Sequence, residues 1–173
     1  VENVVYAAPS RSLAAAAELA ADHGYQVEIL GDSIEGEARE VAAAHAGLAL
    51  DATGPRVILS GGELTVTRRG DGCGGPNAEY ALALAVALNG AAGIHAIACD
   101  TDGIDGAAEV AGALIGPDTL DRAQACGTDA AAALESNDAH GFFARIGAQI
   151  VTGPTLTNVN DFRALLIEAP KVD

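Results

Sequence analysis

Short apolar runs alternate with helix-forming segments along this chain, and most of the runs are followed by segments rich in glycine, asparagine or aspartate. Val57–Leu59 and Ile94–Cys99 are the clearest examples. Such alternation favours an α/β fold, a layered and mixed sheet with helices packed on its faces. The 173 residues are enough for one domain with its own core. Because only three Tyr and three Phe occur, that core has to consist of Ala, Val, Leu and Ile.

The same pattern predicts the individual elements and their boundaries. We expect strands at Val4–Ala7, Tyr25–Leu30, Arg56–Leu59, Leu64–Arg68, Ile94–Cys99, Gln149–Val151 and Phe162–Ile167. We expect helices at Ser10–His23, Glu35–Ala49, Asn77–Leu88, 118–126, 130–135 and 138–146. Ser10, Asp118 and Asp138 are the predicted N-caps, and Gly24 closes the first helix. Gly31–Gly36 and Ser60–Glu63 are predicted loops, and Asp51–Pro55 is a predicted connection.

The charge and the cysteines limit the partners and the compartment. With 24 acidic and nine basic residues the net charge is −15, which repels nucleic acid and anionic membranes alike. The three cysteines contain no CxxC pair, and no apolar run is long enough to span a membrane. We therefore expect a cytoplasmic protein that binds neither nucleic acid nor membrane. Because the sequence begins without Met on a strand-like run, we also expect an upstream domain beyond it.

Two glycine-rich segments could approach an anion through their backbone. Ser60–Glu63 either presents N–H groups to an oxyanion or forms a β-turn between two strands. Gly70–Gly75 precedes a helix but lacks the Lys of a P-loop, and its GxGxxG spacing alone is weak evidence for a dinucleotide site. Asn77 and Glu79 either cap that helix or face a ligand.

Asp100–Gly106 is the most informative segment, because it holds three carboxylates within six residues. Such carboxylates repel one another unless a cation or several donors compensate them. The spacing does not fit an EF-hand. A Mg²⁺-phosphate site, hydrogen bonds to substrate hydroxyls and a solvated turn all remain open.

Thr152–Asp161 is a second polar segment after an apolar strand, and it is either part of a site or a surface loop. The four histidines, His23, His45, His95 and His140, share no metal-ligand spacing, so we interpret them as helix-end or packing residues. No nucleophile with a matching base is evident, and we do not expect covalent catalysis.

These segments, in this order, resemble the carboxy-terminal MOFRL domain of the glycerate 2-kinase family, which also includes proteins labelled hydroxypyruvate reductase. The matching stretches are Gly31–Glu40, Ser60–Thr67, Gly74–Glu79, Asp100–Gly106, Asn137–Phe143 and Thr152–Asp161. The resemblance implies that residues 1–173 form one domain of a larger, two-domain enzyme. It further implies ATP-dependent phosphorylation of D-glycerate at its 2-hydroxyl, in a cleft shared with a Rossmann-like amino-terminal domain.

The resemblance also implies roles for individual residues. Asp100 and Asp102 are candidate Mg²⁺ ligands, and Asp102 is the candidate catalytic residue. The residues expected to bind substrate or nucleotide are Ser60, Gly61, Gly62, Glu63, Asn77, Glu79, Thr101, Asp105, Asn158, Asn160 and Asp161. ATP and Mg²⁺ are the expected cofactors, a small hydroxy acid is the expected substrate, and a homo-oligomer is possible.

One departure concerns positive charge in the glycine loop. Many family members carry basic residues where this chain has Cys73 and Pro76, so that charge is lost or relocated to Arg68, Arg69 or the other domain. Because phosphoryl transfer needs cations, we expect the 173 residues alone to lack kinase activity. The alternatives are an NAD(P)H-dependent hydroxypyruvate reductase and a non-catalytic module that binds a small acid or sugar.

Overall fold

The computed structural model describes residues 7–106 and 108–169, so most of the predicted strand Val4–Ala7 lies outside the described residues. The helices are α1 (Pro9–Asp22), α2 (Ala38–Leu50), α3 (Pro76–Leu88), α4 (Thr119–Ala125), α5 (Ala130–Glu135) and α6 (Ala139–Arg145). The strands are β1 (Gln26–Glu37), β2 (Arg56–Thr65), β3 (Ile94–Asp100), β4 (Gly112–Ile115), β5 (Gln149–Ile150) and β6 (Asp161–Ile167). No helix in the described part of the chain could cross a membrane.

The six strands form one mixed sheet in the order β1-β2-β6-β3-β4-β5. β1 and β2 are parallel, and β6 lies antiparallel between β2 and β3. On one face, Leu13 of α1 packs with Val57 and Leu59. On the other face, α2 and α3 pack over a core that includes Ile58 and Leu165. The predicted layered α/β fold is therefore confirmed.

Helix α3 lies at the centre of the domain. It is apolar on nearly every side, which is typical of a helix with no solvent face. Its small alanines let α2, α5 and α6 approach it closely, as the core cluster shows. α3 therefore fixes the sheet and three helices relative to one another.

Ser60–Glu63 was predicted as a loop, and that prediction is wrong. β2 continues through it to Thr65, so one strand replaces the two predicted ones. Gly62 has a φ of +117°, and a Cβ there would overlap the backbone of Ile34 on β1. The glycines thus serve the close packing of two strands rather than a turn.

Gly31–Gly36 was also predicted as a loop, and it belongs to β1. The pairing with β2 shifts register between Ile29 and Gly31 and again between Gly31 and Ile34. These irregularities keep the strand paired as far as Glu37, so α2 begins at Ala38 rather than Glu35.

Other differences are smaller. α1 begins at Pro9 after Ala8, so Ser10 is not its N-cap. Asp118 and Asp138 occupy N-cap positions without capping through their side chains, whereas Asp129 accepts from the Ala132 N–H at 2.8 Å. The sequence prediction missed β4, which has only four residues and begins with a glycine.

Candidate functional site

The sheet brings the predicted polar segments together at one end. β3 ends at Asp100, which is the register partner of Asp161 at the start of β6. Asp161 also pairs with Gly62 near the end of β2. We call this end of the domain, from Asp100 to Asp105 and from Asn158 to Asp161 with Asn77 beneath them, the polar edge. It has a buried layer and an exposed layer.

Asp105 anchors the buried layer at the start of α3. Its carboxylate accepts from the backbone N–H groups of Asn77 at 2.9 Å and Ala78 at 2.8 Å. The side chain is 1% exposed. The unpaired N–H groups and partial positive charge of a helix N-terminus attract anions. In this domain the protein's own carboxylate occupies that position.

His140 of α6 lies against Asp105. Its Nε2 is 3.3 Å from the Asp105 carboxylate and 3.0 Å from the Asp105 carbonyl oxygen. Burial lowers the pKa of His140, but these contacts with Asp105 outweigh burial and raise the pKa above its ordinary value. The imidazole thus helps to neutralise Asp105, and the sequence interpretation of His140 as a packing residue is consistent with this contact.

Asp161 and Arg163 extend the buried layer into the sheet. The amide of Asn77 donates to Asp161 at 2.7 Å, and Nη1 of Arg163 lies 3.3 Å from the other Asp161 oxygen. Arg163 is 0% exposed and stacks over the Tyr80 ring at 5.6 Å. Burial raises the pKa of Asp161, although Asn77 and Arg163 oppose that shift. Sequence reasoning did not propose Arg163, yet the alternation in β6 places it on the buried face with Leu165.

The exposed layer contains Asn158 and Asn160, which are exposed, together with Asp100, Thr101 and Asp102, which are half-buried. Asn158 donates to one carboxylate oxygen of Asp102 at 3.1 Å, and the Ile104 N–H donates to the other at 2.8 Å. Thr101 bonds the Asn160 carbonyl at 2.8 Å. These bonds join the two polar segments and hold Asp102 in one orientation at the surface.

Asp100 lies between the two layers. Burial, together with repulsion from Asp102 and Asp161, raises its pKa to about 6, although the Asp102 N–H bond opposes the shift. A carboxyl in this position favours either a proton or a nearby cation. The described residues contain no group of three or more His, Cys, Asp or Glu placed to hold a metal ion. Asp100 and Asp102 would supply at most two carboxylates to such an ion.

Three other predicted binding residues have different surroundings. Glu79 is buried and accepts from Arg39 Nε at 2.6 Å and from Asn137 at 3.2 Å, so it joins α2, α3 and the turn before α6. Ser60 is buried in β2 and accepts from Arg163 Nε at 3.4 Å. Glu63 is exposed near the end of β2. Ser60 therefore supports the polar edge through Arg163 and Asp161, whereas Glu79 holds α2 and the turn before α6 to α3.

The loop from Arg68 to Gly75, which we call the glycine loop, lies against the turn before α6. A Cβ at Gly70 or Gly72 would overlap the backbone of Ser136, and one at Gly75 would overlap Asp105. Gly72 also donates to the Ser136 carbonyl at 2.8 Å. These glycines are required by close packing within the domain.

The polar edge is an open surface. A cavity of about 830 Å³ lies instead at the opposite end of the sheet, near Leu50, Ile94 and Glu168. α1 is joined to β1 by residues 23–25 and packs on it, so α1 runs back and begins toward the polar edge.

A family model, related sequences and a solved structure all match this chain over most of its length. Residues 56–161 match the model of the MOFRL family. A protein of Agrobacterium vitis named "Putative hydroxypyruvate reductase" is 54% identical over 93% of this chain, and the D-glycerate 2-kinase of Thermotoga maritima is 36% identical over 84% of it. The crystal structure of the Thermotoga maritima glycerate kinase matches 96% of this chain with a TM-score of 0.91 and 34% identity.

The match covers only part of each relative. This chain spans 39% of the Agrobacterium protein and 37% of the Thermotoga kinase, and it covers 42% of the chain in the crystal structure.

Proposed function

This chain belongs to the MOFRL family, and on that basis we propose that it is the carboxy-terminal domain of an ATP-dependent glycerate 2-kinase. In this proposal the polar edge is one wall of a cleft that binds glycerate and Mg-ATP, and an amino-terminal domain supplies the other wall. The observation that carries the proposal is the match to a glycerate kinase structure over 96% of the chain.

The geometry of the polar edge supports a cleft wall. Its outer groups are open to solvent, whereas the groups beneath them are mutually bonded and rigid. Because α1 begins on this side, an amino-terminal domain would connect next to the polar edge. Phosphoryl transfer depends mainly on positioning and on neutralising charge, and a rigid wall serves the first requirement.

We assign the exposed layer to substrate contacts. Asp102 is oriented by Asn158 and Ile104 N–H, so its remaining lone pairs can accept the proton of the glycerate 2-hydroxyl. Mg²⁺ bound with nucleotide commonly takes one or two carboxylates, phosphate oxygens and water, and the donor set of Asp100 and Asp102 fits that role. A bound Mg²⁺ would neutralise charge on the phosphates. In this proposal the buried residues Asp105, Asn77 and Asp161 support the layer that contains the two carboxylates.

The kinase proposal is tested on the complete protein with D-glycerate, ATP and a coupled assay of ADP release. We expect turnover by the complete protein and none by the 173-residue chain alone. Asp102→Asn should lower kcat by about 100-fold or more, because a positioned general base contributes about 10²–10⁴ in rate. Asp71→Asn, an exposed aspartate of the glycine loop, is the matched control and should retain activity. Wild-type kcat in Asp102→Asn would exclude the assigned role.

The alternative function is reduction of hydroxypyruvate with NAD(P)H, which the name of the Agrobacterium relative suggests. A dinucleotide pyrophosphate usually lies at a helix N-terminus after a glycine-rich turn. The start of α3 already holds the Asp105 carboxylate, and that charge would repel a pyrophosphate. Because of this contact we rank the kinase above the reductase. Hydroxypyruvate-dependent oxidation of NADH by the complete protein would reverse the ranking.

A further inference from the structure

Two adjacent arginines in the glycine loop have different surroundings. The guanidinium of Arg68 folds back and donates to the carbonyl oxygens of Gly70 at 3.1 Å and Gly72 at 3.2 Å. The side chain of Arg69 is exposed, and its guanidinium has no hydrogen-bond or ion-pair partner among residues 7–106 and 108–169. The guanidinium of Arg69 therefore has all its donors available.

The backbone of Arg69 is nevertheless fixed. The side-chain oxygen of Asn137 accepts from the N–H groups of Arg69 at 2.6 Å and Gly70 at 3.0 Å. Asn137 is buried with a φ of +55°, and its amide nitrogen donates to the buried Glu79. An exposed guanidinium on a fixed backbone loses less entropy on binding than one on a mobile loop.

The other described positive charges are already engaged. Five arginines pair with carboxylates, in the pairs Arg39–Glu79, Arg56–Glu28, Arg122–Asp118, Arg145–Asp138 and Arg163–Asp161. The positive end of α3 holds Asp105. Gly75 of the glycine loop packs against Asp105 of the polar edge. In this loop Arg69 is thus the described cation that remains for an external anion.

We propose that Arg69 is the residue through which this domain contacts an anionic oxygen group of a substrate. That group is either the carboxylate of the hydroxy acid or a phosphate of the nucleotide. The proposal rests on the proposed kinase function. A net charge of −15 repels both substrates, so one unpaired guanidinium in the glycine loop has a large local effect. It also offers several donors in the planar arrangement that matches carboxylate and phosphate.

The experiment measures kinetics of Arg69→Gln in the complete protein. KM for D-glycerate is determined at saturating ATP, and KM for ATP at saturating D-glycerate. We expect one of the two KM values to rise about tenfold, because a charge-assisted hydrogen bond at a partly exposed site is lost. The affected KM identifies the anion. Arg69→Lys should recover part of the loss, since it restores the charge but not the bidentate geometry.

Arg68→Gln is the matched control, because it removes one charge from the same loop while the original guanidinium is bonded to that loop. Its KM values should change less than about twofold. Unchanged KM values in Arg69→Gln, or an equal rise in Arg68→Gln, would overturn the proposal. Calorimetric titration of each variant with ATP and with D-glycerate needs no turnover. A loss of binding there supports Arg69 even if the protein is not a kinase.

Discussion

The two layers of the polar edge contain the same kinds of residue and differ in what their atoms contact. In the buried layer, Asp105 and Asp161 direct their carboxylates at backbone N–H groups, an amide and a guanidinium. In the exposed layer, Asp102 and Asn158 bond each other at the surface. The comparison shows that a motif of aspartates and asparagines can divide into a buried support and a layer at the surface, to which we assign the substrate contacts.

Removing one carboxylate from each layer should give the largest difference in the free energy of unfolding. Asp105→Ala should lower the free energy of unfolding by about 4 kcal/mol, because it leaves His140 and two N–H groups buried without their partner. Asp102→Ala should cost less than about 1 kcal/mol, since its partners reach water. Urea unfolding of both variants measures the difference. Equal losses would show that the two layers are energetically the same.

Two glycines with positive φ, one in the sheet and one in the turn after α4, should differ next most in the effect of an alanine on stability. Gly62→Ala should destabilise the domain by about 3 kcal/mol, because its φ of +117° is strained for alanine and the new Cβ overlaps Ile34. Gly127→Ala has a φ of +67° with no atom within 4 Å, and should cost about 1 kcal/mol. Thermal unfolding of the pair checks this order. A Gly62→Ala domain as stable as Gly127→Ala would contradict the tight packing of β1 on β2.

The buried His45 near Arg163 should make the stability of the domain depend on pH. Its Nδ1 lies 2.8 Å from the Tyr80 hydroxyl, and burial followed by the charge of Arg163 lowers the pKa from 6.5 to about 4. Between pH 6.5 and pH 4 the unfolded chain therefore binds a proton that the folded one does not. Stability is fully present above pH 6.5 and falls as the pH falls through this window.

His45→Gln should remove about 3 kcal/mol of that acid-induced loss, because each unit of the lowered pKa corresponds to about 1.4 kcal/mol. The measurement is the urea midpoint at several pH values on either side of the window. His23→Gln, at the exposed end of α1, should leave the wild-type dependence in place. An unchanged acid slope in His45→Gln would mean that His45 is protonated in the fold.

Much of the fold follows from local sequence. β3 and α3 lie close to their predicted bounds, because each is a strong apolar run between turn formers. The alternation of residues in β6 places Phe162 on the α1 face and Arg163 and Leu165 on the other. Asp51–Pro55 connects α2 to β2 as predicted.

The errors arise where distant backbone decides the local structure. Ser60–Glu63 resembles a turn in isolation, and only the approach of Ile34 on the neighbouring strand explains its glycines. Asn137 and Arg39 escape sequence reasoning for the same reason, since both act through Glu79, which is distant from them in sequence. The polar segments could be predicted, but not their division into two layers, because burial is a tertiary property.

Helix α3 also bears on how this sequence can change over time. Ten of its thirteen residues are buried, and its four buried alanines belong to the core cluster, where a larger side chain would have to displace its neighbours. Substitutions there must either open a cavity or force the backbones apart. Neutral drift is therefore expected to be slow in α3 and faster in α1, whose outer face is exposed. Related sequences should therefore differ less in α3 than in α1 because of packing alone, even at positions that have no part in activity.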